Sequence, residues 1–299
     1  MTIGDEARPR RYHLGGTPFE APPLAPGLYV VATPIGNLRD VTLRALETLA
    51  AADVIYCEDT RTSARFLDHF GIRTARKALH EHNERQRLEA VLADLERGGR
   101  IALISDAGTP LLSDTGFPLV RAAGEAGLEV FAVPGPSALL AALAVAGLPT
   151  DRFTFLGFLP PRAAARNKAI ATLVGRAETL VFYESPRRLA DTLAALAQHL
   201  GKDRPAAVAL ELTKRFERVF RDNLSRLAER FANEETKGEA VILVAGATDT
   251  TPATEDWQAA LADAMAAQPL RAAVDEVTQR FSLKRKEVYD AALALKAQK

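Results

Sequence analysis

Several short segments of this chain carry carboxylates beside small residues that leave the backbone accessible. They are Glu58-Asp59-Thr60-Arg61, Ser105-Asp106-Ala107-Gly108-Thr109-Pro110, Ser113-Asp114-Thr115-Gly116 and Glu184-Ser185-Pro186-Arg187-Arg188. A carboxylate so placed can take a proton from a weak nucleophile. It can also accept hydrogen bonds from a ligand's hydroxyl or amino groups. Taken singly, each is more often a helix cap than a catalyst. Glu58, Asp59, Asp114 and Glu184 are the candidate bases, and Asp106 is the candidate ligand holder. Lys214, at the end of Glu211-Leu212-Thr213-Lys214, can hold a phosphate or stabilise a developing alkoxide. Its alternative is a solvated lysine on an edge strand. His80 and His82 flank Glu81. Two histidines without further ligands are weak evidence for a metal site, so no metal is expected.

The elements that carry these segments alternate regularly. The apolar run Ile101 to Ile104 predicts a buried strand that ends in the Ser105 loop. A helix is expected from Pro118 to the stop at Gly127, then a strand, Glu129 to Val133, running into Pro134-Gly135-Pro136-Ser137. Upstream, Leu28 to Ala32 breaks at Thr33-Pro34-Ile35-Gly36-Asn37. Asp40 is expected to cap a helix buried through Val41, Leu43, Leu46 and Leu49. Asp53 to Cys57 forms the next strand, a helix ends at Gly71, and Asn83 caps another from Glu84 to Arg97. Strand, polar loop and helix in this order predict a largely parallel sheet, in which loops that follow strands share one edge.

Composition narrows the function. The 299 residues suit about two domains, and 47% hydrophobic content suffices for real cores. Net charge is zero, so a nucleic-acid surface has to be a local patch. The single cysteine, Cys57, excludes an internal disulfide, a multi-cysteine metal site and the three-cysteine cluster of a radical enzyme. A reducing cytoplasm is the expected home. No apolar run is long enough to span a bilayer, and no signal-peptide core is expected at the N-terminus.

Residues 1–26, with five prolines and Arg8, Arg10 and Arg11, read as a flexible extension without a fold of its own. A first α/β domain is expected over 27–147 and a second over 148–246, with a boundary at Gly147-Leu148-Pro149-Thr150. The second shows strands at Arg152 to Phe158, Thr179 to Tyr183, Ala206 to Leu210 and Ala240 to Ala245, a possible hairpin partner at Arg215 to Arg221, and a helix from Asn223 to Phe231. Ser185 and Pro186 are expected to open the helix to Leu200. Antiparallel pairing is expected here. After a threonine-rich linker, 256–299 read as a small helical domain. Leu270, Val274 and Val277 form one face, and Val288, Tyr289, Ala292 and Leu293 another.

No G-x-G-x-x-G follows a strand and no G-x-x-x-x-G-K-[ST] is present, which argues against a dinucleotide dehydrogenase and a P-loop NTPase. The longer loop motifs are specific. LYVVATPIGNLRDVTLRAL, YCEDTRTSARFL, ISDAGTPLLSDTG, VPGPSALLAAL, GFLPPR, FYESPRRL and LELTKRFE resemble the ribosomal RNA small subunit methyltransferase I family, a branch of the tetrapyrrole-methylase superfamily. The resemblance runs from Gly27 to Ala245, and the last helices are similar to that family's small helix–turn–helix domain. It implies two α/β domains of tetrapyrrole-methylase type with the cofactor cleft between them. It implies methyl transfer from S-adenosyl-L-methionine to the 2′-hydroxyl of a cytidine in small-subunit ribosomal RNA, free or in the assembled subunit, by a homodimer.

By the same analogy, the cofactor is expected against Pro34, Ile35 and Gly36 of the first loop and against Ser105, Asp106, Ala107 and Gly108. Ser113 and Asp114, then Pro134, Gly135 and Ser137, and finally Tyr183 and Glu184 complete its lining. Gly108, Gly135 and Ser137 are small enough for backbone groups to reach a ligand's polar edges. TPIGN replaces the glycine-rich opening of tetrapyrrole methylases, which weakens a small macrocycle as substrate. Asp59, Glu184 and Lys214 are the expected catalytic groups. Arg61, Arg162 and Arg187 near the cleft, and Lys284, Arg285 and Lys286 at the last helix behind a Ser282 cap, are the expected RNA contacts. Between Arg152 and Arg188 seven basic residues face two acidic ones, although a solvated helix gives the same pattern. Two other classes remain open: a methylase of a small molecule or protein residue on this fold, and a non-catalytic ribosomal RNA-binding protein.

Overall fold

The computed structural model describes residues 10–80, 83–247, 257–281 and 283–297. Arg8, Glu81, His82, Ser282 with its expected cap, and most of the linker lie outside the described residues. The chain divides into two compact units, Met1–Gly246 and Ala247–Lys299.

Residues 10–26, expected to lack a fold, contain a hairpin of β1 (Arg11–Leu14) and β2 (Thr17–Glu20) joined by Gly15 and Gly16. Both glycines have positive φ, the conformation a two-residue hairpin turn demands. Tyr12 stacks on Phe19 and is 4% exposed in a core with Leu46, Leu49 and Ile72. The His13 N–H donates to the Phe70 carbonyl at 2.7 Å. Burial of one tyrosine and a shared backbone bond hold a segment whose composition alone reads as disordered.

The first sheet follows. It uses β3 (Gly27–Val31), β4 (Val54–Cys57), β5 (Ala75–Ala78), β6 (Arg100–Leu103) and β7 (Val130–Val133) in the order β5-β4-β6-β3-β7. Every pairing between them is parallel. Its helices are α1 (Leu43–Ala51), α2 (Thr60–His69), α3 (Glu84–Glu96), α4 (Phe117–Glu125) and α5 (Ala138–Ala146). The first two pack on one face and the next two on the other. Strand β5 was not expected. Its Ala75, Arg76 and Lys77 are exposed, as suits a charged edge strand, and it shows no apolar alternation to read.

Two caps differ from expectation. Asp40 does not cap α1; it ends a single 3-10 turn, and Val41 is extended before the helix. Thr42 is the cap, accepting from the Ala45 N–H at 3.1 Å, and Leu43 consequently points outward, 58% exposed. Thr42→Ala is expected to cost about 1 kcal/mol, read as a lower denaturation midpoint at unchanged slope. Asn83 does precede α3, but its side-chain oxygen accepts from the His80 N–H at 2.9 Å rather than from the helix.

The second sheet contains β8 (Phe153–Phe158), β9 (Thr179–Glu184), β10 (Pro205–Leu210), β11 (Arg218–Asn223) and β12 (Ala240–Val244), in the order β11-β10-β12-β9-β8. The expected antiparallel pairing is present, and among the described strands of this sheet only β8 with β9 is parallel. Helices α6 (Ala163–Ala171), α7 (Leu189–Leu200) and α8 (Leu224–Asn233) cover one face. The other face is covered by α5, whose Leu139, Ala142, Leu143 and Ala146 pack on Val181, Ala207, Val241 and Leu243. Thus the helix that follows the first sheet lies against the second. Ser185 does not open α7: it precedes a 3-10 turn, Pro186–Arg188, and makes no side-chain cap.

The second unit holds α9 (Trp257–Ala267), α10 (Leu270–Phe281) and α11 (Arg285–Ala297) around Leu261, Ala273, Val274, Val277, Val288 and Ala292. Leu270 packs at the edge of this core. Tyr289 and Leu293, expected on the same buried face as Val288, are 40% and 46% exposed. A helix face of three short turns is narrower than the sequence pattern suggested.

Candidate active site

The loops after the parallel strands are tied to one another by hydrogen bonds. Thr33 and Gly108 exchange backbone bonds at 2.8 and 3.0 Å, and the Thr33 hydroxyl donates to the Ser105 carbonyl. Ser105 in turn donates to the Gly108 carbonyl at 3.2 Å. The Thr109 hydroxyl reaches the Pro136 carbonyl at 3.2 Å. The Asp59 N–H donates to the Asp106 carboxylate at 3.2 Å. TPIGN, EDTR, SDAGTP and PGPS therefore form one connected edge.

Against this edge lies the end of the second sheet. Between them is a cavity of about 360 Å³. Of the expected cofactor residues, Ile35, Ala107, Gly108, Ser113, Asp114, Tyr183 and Glu184 line it. Pro34, Gly36, Ser105 and Asp106 line a separate hollow of about 200 Å³. Pro134, Gly135 and Ser137 line neither. Ser137 caps α5, and the close neighbour of Gly135 is the Ala32 side chain. Gly108 has φ +84°, and a Cβ there would stand 3.2 Å from the Ile35 side chain.

The expected catalytic groups differ in freedom. Asp59 is the cap of α2, accepting from the Arg61 N–H at 2.7 Å. Glu184 is 3% exposed and is held by the Ser185 N–H, the Thr192 hydroxyl at 2.7 Å and Arg188 at 3.2 Å. Arg188 also donates to the Leu159 and Pro160 carbonyls, so this ion pair anchors the loop after β8. Lys214 pairs with Glu211 at 2.9 Å and Glu239 at 3.1 Å, and its stem packs over Gly36. Burial would lower its pKa, but the two carboxylates outweigh that and raise it.

Glu58 stands apart. Burial, and then the hydrogen bond and charge of Asp114, push its pKa up to about 7, with smaller contributions from Asp106 and Asp59. Asp106 is raised too, by burial first and by the charges of Asp59 and Asp114 after the Asp59 N–H has lowered it. Two carboxyls that hydrogen-bond share a proton, because like charges at contact cannot both ionise cheaply.

Sequence reasoning missed Glu84. Gly116, at the start of α4, has no side chain to cap it. The buried Glu84 carboxyl faces the Gly116 and Leu119 N–H groups instead, and burial raises its pKa against them. In the segment just before α4, which holds Ser113 and Asp114, Leu111 and Ser113 adopt positive φ. No local pattern signals a carboxyl brought from another helix to face this N-terminus. Gly238 and Glu239, also on the cavity wall, were missed for the same reason.

Arg61, Arg162 and Arg187 are exposed. Arg166, counted among the basic residues of α6, is instead 7% exposed. In the second unit Lys284, Arg285 and Lys286 are exposed, and Arg285 pairs with Asp275 at 2.7 Å. Among the described residues no cluster of histidine, cysteine, aspartate and glutamate could hold a metal ion, and no helix is long and apolar enough to cross a membrane.

The parallel sheet whose loops close over a mixed sheet is matched to one class of methyltransferase, the tetrapyrrole methylases. The family profile of the Tetrapyrrole (Corrin/Porphyrin) Methylases matches residues 27–228, and that of the RsmI C-terminal HTH domain matches 251–296. The fold is similar to that of a cobalt precorrin-4 methyltransferase of cobalamin biosynthesis, with a TM-score of 0.56 at 17% identity over 73% of this chain and 94% of the other. It is also similar to a uroporphyrin-III C-methyl transferase from Thermus thermophilus solved in complex with S-adenyl homocysteine, with a TM-score of 0.50, 21% identity, and 73% and 97% coverage. In sequence the chain is 46% identical to the ribosomal RNA small subunit methyltransferase I of Mesorhizobium japonicum, over 95% of this chain and 97% of that one. The chain belongs to the ribosomal RNA small subunit methyltransferase I family.

Proposed function

We propose that the chain methylates the 2′-hydroxyl of a cytidine in small-subunit ribosomal RNA, with S-adenosyl-L-methionine as donor, in the cytoplasm and as a homodimer. The substrate class rests on the family; the cytidine and the 2′-oxygen rest on the resemblance of the loops. The observation that carries the chemistry is the cavity between the two sheets, with Asp114 on its wall hydrogen-bonded to the neighbouring Glu58, whose carboxyl shares its proton.

The cavity fits the donor. Its wall is largely apolar, from Ile35, Ala138, Phe158, Tyr183 and Val241, with polar groups from Thr109, Ser113, Asp114, Glu184, Ser185 and Glu239. A Cβ at Gly108 would intrude beside Ile35. Ile35, Ala107, Gly108, Ser113 and Tyr183 would hold the donor, with Asp106 and Ser105 in the adjoining hollow for a polar end. When bound, S-adenosylmethionine supplies an electrophilic methyl group. Glu58 accepts the proton of the attacking hydroxyl, and Asp114 stabilises the proton once shared. Asp59 caps α2 and Glu184 holds Arg188 and Thr192, so the proton transfer is assigned to Glu58. Lys214 is engaged by Glu211 and Glu239 and serves to position the first loop. Arg61, Arg162 and Arg187 meet RNA phosphates, and the second unit adds affinity through Lys284 and Lys286.

Mapping ribosomal RNA by mass spectrometry, from cells lacking the gene and after its re-expression, tests this reading. The expected result is one ribose-methylated cytidine lost and regained; an unchanged map overturns it. A finer expectation concerns the second unit. Lys284→Ala with Lys286→Ala should weaken RNA binding and flatten its salt dependence by roughly one unit of slope for each phosphate no longer neutralised. Donor affinity should not change. An unaltered salt slope would assign these lysines to solvent.

A further inference from the structure

The apolar wall of the cavity is unevenly buried. At its inner end Ile35 is 7% exposed, whereas Phe158 and Leu112 are 56% and 37% exposed. Phe158 stands on β8, the edge strand of the second sheet. In a regular strand Phe155 and Phe158, three residues apart, point to opposite faces. Here both rings meet Tyr183 edge-on, with centroids 4.8 and 5.7 Å away. The cause is an irregularity in the pairing of β8 with β9 between these two residues, with Gly157 at φ +62°. A Cβ on Gly157 would come within 2.7 Å of the Ser113 hydroxyl, so only glycine lets the strand approach the loop there. Bulges of this kind re-aim a side chain beside a site. This one brings a large apolar ring to the cavity and leaves it half in water.

We propose that Phe158 is the platform on which the base of the target nucleotide stacks after leaving the RNA helix. The inference rests on the RNA substrate argued above. A hydroxyl on a stacked, paired nucleotide is difficult to bring into a cavity, and extruded bases are commonly held against aromatic faces. The occupant is the substrate base rather than the donor's adenine, because the ring is half in solvent, whereas Ile35 and Gly108, proposed to hold the donor, are buried. Arg162 and Arg187, exposed on segments flanking Leu159 and Pro186, supply charge for the adjacent phosphates.

The test uses the full-length protein and small ribosomal subunits from cells lacking the gene, with transfer of labelled methyl as the readout. Phe158→Ala should lower kcat/KM for subunits roughly 5- to 100-fold, the range of one lost base–aromatic stack. Phe158→Tyr should restore it to within about threefold, while Phe158→Leu, apolar but without a π face, should not. S-adenosylmethionine affinity, by calorimetry, should stay within about twofold in all three. Unchanged kcat/KM in Phe158→Ala, full rescue by leucine, or loss of donor affinity would each overturn the assignment. Absence of methyl transfer by the unaltered protein would instead overturn the RNA reading on which it rests.

Discussion

Glu58→Gln is expected to lower the rate of methyl transfer by about 10²- to 10⁴-fold, the usual contribution of a positioned general base. Donor affinity should be nearly unchanged, because the side chain acts on the hydroxyl. The pH dependence follows from its raised pKa of about 7. The base works deprotonated, so the rate of the unaltered protein should fall as pH drops below about 7, and the variant should lose that limb. Stability carries the opposite sign. A carboxyl raised from 4.5 to about 7 favours the folded state while protonated, and that contribution is lost as pH rises through this window. Glutamine keeps a donor toward Asp114 without needing the proton, so at pH 8 the variant should be at least as stable as the parent. A variant that is less stable yet fully active would make Glu58 structural.

Gly108→Val should abolish measurable donor binding, a loss of at least about 100-fold, while the protein stays folded. Two effects combine. At φ +84° a branched residue costs on the order of 1–2 kcal/mol in backbone strain. Its Cβ also stands 3.2 Å from Ile35, and its methyl groups would fill the cavity wall. The Thr33–Gly108 bridge holds the backbone in place, so the loop cannot swing aside without losing both bonds. Calorimetry with S-adenosylmethionine measures the affinity and circular dichroism the fold. Unchanged affinity would place the donor elsewhere. Gly135, equally a candidate by sequence, should respond less, because it packs on Ala32 and does not line the cavity.

What could be read from residues alone was local and periodic. Apolar runs such as Ile101 to Ile104 form strands because they are buried on both faces of a parallel sheet, and such runs are visible without a structure. Loops after parallel strands share an edge, so TPIGN, EDTR, SDAGTP and PGPS could be assigned to one site. The Gly15-Gly16 turn between alternating residues was legible too, but the prolines around it suggested disorder. Only the tertiary structure shows which partners each carboxylate has. Asp59 and Glu184 look as reactive as Glu58 in sequence, but a helix N-terminus takes one, and Arg188 with Thr192 takes the other. Glu58 differs because Asp114, 56 residues later, is folded against it in partial burial. The packing of α5 on the second sheet, the Glu84 carboxyl facing the start of α4 and the re-aimed Phe158 likewise join distant segments. Periodicity reports which face of an element is apolar; it carries no information about which other element will cover that face, or which charge will lie beside it.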